Sequence, residues 1–253
     1  MAYKYLLDIH THSIASGHAY GTIREMAQAA SGRGLKLLGI SEHGPGMPGT
    51  FPAIYFCNLG LVPRFLYGVE VLFGCEANVL DGGRVSLDEE NLGRLDYAIV
   101  GIHGPVYCDM GREKNTENLI GCMKHPKVSF VSHPDDDHTP LDYDRLVRAA
   151  KEHHVALEVN NSSFYKPDFR WNFMENYRTM LTLCKELQVP IVVDSDAHDP
   201  SWVGESAEAL KLLEMMDFPE ELLLNADVDR LKKFIGYKGP DQHKYVRGKA
   251  MCW

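Results

Sequence analysis

Near its start the chain reads Asp8-Ile9-His10-Thr11-His12-Ser13-Ile14-Ala15-Ser16-Gly17-His18, which puts three of its 12 histidines and an aspartate within eleven residues. Imidazoles and carboxylates together bind zinc, manganese or iron without help from thiolates. The same side chains recur at intervals down the sequence. His43 follows LKLLGISE, Glu76 follows VEVLFGC, His103 follows YAIVGI, His133 follows VSFVS, and Asp196 and His198 close PIVVDSDAH. A single histidine at such a place is commonly a hydrogen-bonded structural residue. Nine groups (His10, His12, His18, His43, Glu76, His103, His133, Asp196 and His198) would crowd polar atoms that must be satisfied, and metal ions satisfy them best.

The elements that must position these residues are short apolar, β-rich runs at 5–9, 35–40, 69–73, 97–102, 128–131, 155–159 and 191–193. Between them lie helix-like stretches. Thr22-Ile23-Arg24-Glu25 has the spacing of a capping box opening a helix that runs to Gly32 or Gly34, and 142–154, 172–187 and 204–216 are amphipathic. Strands alternating with helices predict a parallel α/β sheet, open or closed into a barrel. In the closed form all strand C-termini meet on one face, where such proteins carry their sites. The two-residue period of a strand aims residues 8, 10 and 12 to one side, and 196 and 198 likewise. His125, His138, His153, His154 and His243 do not follow the pattern and are expected to be solvated or capping residues.

Composition bounds the rest. With 45% hydrophobic and 24% charged residues, the 253-residue chain can bury a full core, and it is read as one domain, 1–253, with a peripheral tail over 236–253. No apolar run is long enough to span a membrane, and no signal peptide is evident at the N-terminus, so the protein is expected to be cytoplasmic. The six cysteines are scattered, without a C-x-x-C pair, and are expected to be reduced. A net charge of −9 argues against an extended nucleic-acid-binding surface; a homo-oligomer is compatible with the sequence. Residues 44–68, rich in Gly, Pro and aromatics, are either a pocket rim or lid or a surface excursion packed by its own side chains.

In order along the chain, DIHTHS resembles the first motif of the PHP superfamily (polymerase and histidinol phosphatase domains) and SEHG its second. The Glu of GCEAN and the His of GIHGP resemble its middle ligands, SHP its third motif and DSDAH its fourth. The similarity runs from about residue 6 to residue 225, and ALEVNNSSF and NLGLVPR bring it nearest the compact phosphatase branch with three metals. The resemblance implies a distorted (β/α)7 TIM-like barrel with the metal site at the C-terminal ends of the strands. It also implies three divalent metal ions, with zinc the first choice and manganese or iron as alternatives. By motif, His10, His12, Glu76 and Asp196 would hold one ion, and Glu76 as a bridge with His103 and His133 a second. His18, His43 and His198 would take the third.

Two positions depart from the pattern: Glu42 stands where Asp is usual, and Asp194 where Gly is usual. If Asp194 faces the site it would lower the potential there.

The reaction expected from the resemblance is hydrolysis of the phosphomonoester of a small metabolite, with Glu76, Asp196 and His198 carrying the catalysis. A water between two ions would be ionised near neutral pH. Around the ligands, Asp8 is read as orienting a ligand imidazole or, alternatively, as paired with a lysine. Glu158 and Asn160 are read as support for the site, as substrate contacts or as buried hydrogen-bonding groups. Arg64 is read as a phosphate clamp or a solvated loop arginine. Competing readings are a phosphodiesterase or nuclease-type phosphoesterase, an amidohydrolase-type barrel, and a non-catalytic metal-binding domain.

Overall fold

A computed structural model describes residues 3–239. Seven strands form the frame: β1 (Leu7–Asp8), β2 (Leu37–His43), β3 (Val69–Leu80), β4 (Ala98–Gly101), β5 (Val128–Val131), β6 (Ala156–Asn160) and β7 (Ile191–Asp194). They pair in chain order, each parallel to the next. The parallel bridge Thr11–Ala197 brings the ends of β1 and β7 together, so the sheet is a nearly closed barrel. Helices α1 (Ile23–Gly32), α2 (Arg112–Met123), α3 (Tyr143–His153), α4 (Phe173–Leu187), α5 (Ala207–Met215) and α6 (Val228–Phe234) accompany it. The expected barrel is therefore the observed one. Among the described residues no helix is long and apolar enough to cross a membrane.

The seam between β1 and β7 explains why β1 is shorter than its apolar run. Instead of a continuous strand ladder, Asn225 stitches the gap: its amide donates to the carbonyls of Leu7 (3.0 Å) and Val193 (2.6 Å) and accepts from Val193 N (2.7 Å). The Asp194 carboxylate takes Ile9 N at 2.8 Å.

Alternation along the strands sorts the interior into two layers. Leu37, Leu72, Ile99, Phe130, Ala156 and Val192 pack inside the lower barrel with Leu7, Ile9 and Tyr97, and Leu231 of α6 joins them. One or two steps further along the same faces come Glu76, His103, Ser132, Glu158, Asp194 and Asp196. The base is apolar and the mouth polar. β3 outruns its expected end at residue 73 because Glu76 and Asn78 lie mid-strand and stay paired, Glu76 with both His43 and Ile99 and Asn78 with Gly101. At Gly101 a side chain would not fit: a Cβ there would lie 2.4 Å from Ser132 Oγ and 3.1 Å from Glu76 Oε1.

Helix α1 opens on the expected capping box, with Thr22 and Glu25 bonded reciprocally. Residues 44–68 combine both readings offered for them. Ile54–Asn58 is helical, Phe56, Leu59 and Leu66 are buried in the core, and Met47 reaches the cavity at the barrel mouth. Of the tail expected to be peripheral, Tyr237 packs against the lower core; residues 240–253 lie outside the described residues. Cys75, Cys108, Cys122 and Cys184 are free, whereas Cys57 is disulfide-bonded, so the expectation of uniformly reduced cysteines is corrected there. Scattered spacing carries no pairing information, and Cys57 sits half-buried on the 44–68 loop.

Candidate metal centre

All nine candidate residues assemble at the mouth of the barrel, around Glu76. Its Oε1 faces His133 Nε2 (2.9 Å) and His103 Nε2 (3.1 Å); its Oε2 faces His43 Nδ1 (2.8 Å), His10 Nε2 (3.3 Å) and His12 Nε2 (3.6 Å). Asp196, in the left-handed region at φ 52°, turns Oδ1 toward His12 Nε2 (3.3 Å) and His10 Nε2 (3.6 Å). Its Oδ2 accepts from Asn160 and from Ser162 Oγ. His18 and His198 meet Nε2 to Nε2 at 3.0 Å, and the His18 ring stacks on His43 with centroids 4.9 Å apart.

Hydrogen bonds behind the rings decide which nitrogen carries a proton. Ser16 donates its only hydroxyl proton to Glu42 (2.6 Å), so His12 Nδ1 must donate to Ser16 Oγ (2.9 Å). His10 Nδ1 donates to Glu158 Oε1 at 2.6 Å. Asn78 spends its amide protons on carbonyls such as that of Pro45, leaving Oδ1 to accept from His103 Nδ1 at 2.8 Å. His198 Nδ1 donates to the Asp196 carbonyl at 2.9 Å. In each case Nε2 keeps a lone pair turned inward, the arrangement in which imidazoles ligate metals. His133 is different: Arg170 donates to its Nδ1 at 3.2 Å, which puts the ring proton on Nε2. Coordination through that Nε2 requires Arg170 to release Nδ1.

The fit to metal ions rests on atoms that nothing else satisfies. His10 Nε2, His12 Nε2, His43 Nδ1 and Glu76 Oε2 are all buried without a hydrogen bond of acceptable geometry. They belong to overlapping groups (His10, His12, Glu76; His43, Glu76, His103; His12, His43, His198) whose ligand atoms lie within 4.8 Å of one another. Four orphaned polar atoms at one point would be costly in a folded protein.

Ionisation is tuned accordingly. Burial opposes charge on Glu76, but the imidazoles of His103, His10 and His43 prevail and hold its carboxyl well below the usual range. Asp196 is lowered likewise, burial being outweighed by His10, His12 and His198. Burial, with His43 and His198, keeps His12 well below its ordinary value; burial and Arg170 push His133 down to about 3. His18 and His198 are lowered chiefly by burial. For His10, burial is overcome by Glu158, Glu76 and Asp196, which raise it well above the ordinary value. Acids held ionised beside the lowered imidazoles of His12, His18, His133 and His198 suit metal binding, which at His10 must displace a proton from Nε2.

The supporting residues are placed differently from expectation in three cases. Asp8 holds backbone rather than an imidazole: it accepts from Ser195 Oγ (2.6 Å), Gly204 N (2.8 Å), Ser195 N (3.3 Å) and His10 N (3.4 Å). The imidazole-orienting role falls to Glu158, whose Oε2 also accepts from His133 N (2.6 Å) and Asn160 (3.2 Å). Arg64 is not at the site. Its guanidinium is ion-paired with buried Asp96 and lies over Phe73, 4.6 Å from the ring centroid. Asp194 does face into the barrel, but burial, with Asp8 and Glu158 nearby, raises its carboxyl well above the ordinary range, which opposes the expected lowering of the potential there.

Three residues here carried no sequence signal. Arg170 and Lys166, from the loop after β6, line a cavity of about 360 Å³ together with His18, His43, His103 and His133. Asp135, buried 3.6 Å from Arg170 Nη1, faces it with both oxygens lacking a hydrogen-bond partner.

A model of the PHP domain matches residues 8–217. The chain belongs to the PHP domain family. Among PHP relatives, a protein of Acetivibrio thermocellus named "Probable phosphatase" is 40% identical over 236 residues, covering 93% of this chain and 97% of its own. One of the same name from Caldanaerobacter subterraneus subsp. tengcongensis is 40% identical over 255 residues, covering 100% and 98%. The PHP fold recurs in the crystal structure of histidinol phosphate phosphatase from Lactococcus lactis subsp. lactis, complexed with zinc, L-histidinol and phosphate. That chain is 18% identical with a TM-score of 0.59, covering 85% of this chain and 95% of its own. A chain of archaeal ribonuclease P with mature tRNA is 14% identical with a TM-score of 0.60, covering 96% of each. At these identities the likeness is one of fold.

Proposed function

We propose that this PHP domain protein is a metal-dependent phosphatase that hydrolyses phosphomonoesters of small metabolites at a three-metal site. The observation that carries the reading is the convergence of buried, unpartnered atoms of His10, His12, His43 and Glu76. The names of the relatives support the phosphatase chemistry, and the zinc, L-histidinol and phosphate of the Lactococcus lactis protein support a metal and a phosphorylated substrate.

His10, His12, Glu76 and Asp196 would hold one ion, Glu76 with His103 and His133 a second, and His18, His43 and His198 a third, zinc being the first choice among divalent metals. Ions held there supply the charge that activates water at neutral pH and offsets charge on phosphate oxygens. The protein supplies the rest. Glu158, Ser16 and Asn78 fix the rings of His10, His12 and His103, and Asn160 and Ser162 hold Asp196. Arg170 and Lys166 put two cations on the wall of the cavity in which a phosphate would sit, and an arginine fork suits phosphate geometry. Asp135 keeps Arg170 over that cavity.

Elemental analysis of protein purified without added metal should find close to three transition ions per chain, and such protein should release phosphate from nitrophenyl phosphate faster than it cleaves bis-nitrophenyl phosphate. Glu76→Gln should abolish turnover and shed metal. Fewer than two ions with no phosphate released would overturn the reading, and faster cleavage of the diester would move it to a phosphodiesterase.

A further inference from the structure

The end of the barrel away from the ligand histidines has a cavity of its own, of about 470 Å³. Val155 stands just before β6 and Val189 two residues before β7, so the cavity lies at the N-terminal ends of these strands. Leu222, Leu224 and Phe234 of α6 add to its apolar walls, and the His154 ring lies on Phe234 with centroids 4.2 Å apart. A space of this size, mostly apolar and provided with a few polar groups, has the make-up of a small-molecule site.

The polar groups here run against the charge of the whole chain, which is −9. Lys151 of α3 and Arg230 and Lys233 of α6 line the cavity, with Glu221 as the single carboxylate. Among the described residues none of these three cations is ion-paired. Arg230 is held by backbone instead of an acid. Its Nη1 donates to the carbonyls of Glu221 and Glu220, and its buried Nε has no acceptor. A buried donor left open is costly, and an acceptor brought beside it removes the cost. Helices α3 and α4 also end at this cavity, capped by His154 and Gln188, and each end carries roughly half a unit of negative charge. Those ends and Glu221 together do not cancel three full positive charges.

We infer that this cavity is a binding site, separate from the metal centre, for a small organic anion whose acidic group is borne on an apolar body. The body is received by the valine, leucine and phenylalanine walls, and the acidic group by Arg230, Lys151 and Lys233. The chain's own segment 240–253 does not suit the cavity. It carries Lys244, Arg247 and Lys249 against Asp241, the sign that the cavity already has. The site requires no phosphatase activity, and it shares no lining residue with the cavity at the barrel mouth.

2-Naphthoate, 2-naphthamide and acetate separate the two halves of this site. The first two share a ring system and differ in charge, and acetate has the charge without the ring. In equilibrium dialysis of the full chain at neutral pH and low salt, 2-naphthoate should bind about tenfold or more tighter than either of the others. One equivalent should remain bound after exhaustive chelation of metal. The double variant Lys151→Glu/Lys233→Glu should weaken 2-naphthoate by about tenfold or more, since two attractive contacts become repulsive, and should leave 2-naphthamide within about twofold. Both lysines are exposed and unpaired among the described residues, so the double variant folds as the wild type does. Affinity for 2-naphthoate no greater than for 2-naphthamide, or unmoved in the double variant, overturns the inference. Loss of all 2-naphthoate binding on chelation assigns the anion to the metal centre and overturns it as well.

Discussion

Replacing Glu158 with Gln tests how far the site depends on residues behind the ligands. The change keeps size and shape, so any effect comes from hydrogen-bond polarity and charge. Glu158 Oε1 accepts from His10 Nδ1 at 2.6 Å, while Oε2 accepts from His133 N at 2.6 Å and Asn160 Nδ2 at 3.2 Å, all in a buried setting. A glutamine has one oxygen and one amide. Whichever way it is turned, the amide points its protons at another donor, and either the His10 ring or the His133 backbone loses its acceptor. A buried donor left unsatisfied costs about 1–3 kcal/mol. At about 1.4 kcal/mol per decade that is roughly 5- to 150-fold in an equilibrium constant, in line with the 10–100-fold loss usual when such partners are removed. The assay is competition for zinc against a chelating fluorophore, alongside kcat. Glu158→Gln should weaken the tightest zinc by about 10–100-fold, whereas Asp8→Asn, which perturbs backbone contacts, should lower the melting temperature more than zinc affinity. Zinc affinity within twofold of wild type in Glu158→Gln would refute the claim that this carboxylate sets the His10 ring.

The remaining expectations are more direct. Arg64→Met should leave kcat/KM nearly unchanged but destabilise the protein by about 3–5 kcal/mol in urea unfolding, because it breaks the buried ion pair with Asp96. Gly101→Ala should cut metal content and activity while leaving far-ultraviolet dichroism intact, since the new methyl would press on Ser132 Oγ at 2.4 Å and Glu76 Oε1 at 3.1 Å. Exhaustive chelation should lower the melting temperature and added zinc restore it, each site contributing about 4 kcal/mol at a thousandfold excess over its dissociation constant.

How much of this was legible in the sequence follows from the range of the interactions involved. The ligand set was readable because eight of its nine members sit within five residues of the end of an apolar run, His18 alone arriving from the following loop, and a parallel barrel brings such ends together without further instruction. What escaped reading depends on partners far apart in sequence. Arg64 looked like a phosphate clamp because nothing near it announces Asp96, 32 positions on. Helix α2 lacks an apolar stripe because its buried face carries Asn115, Thr116 and Asn118, satisfied by hydrogen bonds to Asp109, the Arg112 carbonyl and Tyr107. Arg170 and Lys166 sit in an irregular loop where no period predicts direction, and only the folded chain shows them turned to the cavity.

The two departures from the family pattern have physical consequences of different weight. At position 42 the extra methylene of glutamate is used: one carboxylate gathers Ser13 N, Ser13 Oγ, Ser16 Oγ and, from the 44–68 loop, Tyr55 OH. Because Ser16 also takes the His12 Nδ1 proton and the His43 backbone N–H, that single side chain ties the first two motifs and the neighbouring loop into one hydrogen-bonded unit. Asp194 is a seam residue. It stands where a strand ladder between β1 and β7 would otherwise run, and its bond to Ile9 N replaces one rung. Burial disfavours charge on this carboxyl and suits it to a hydrogen-bonding role in the seam. The substitution at 42 therefore acts on the orientation of ligands and the one at 194 on closure of the barrel beneath them, so the set of side chains that can hold metal is the same with both in place.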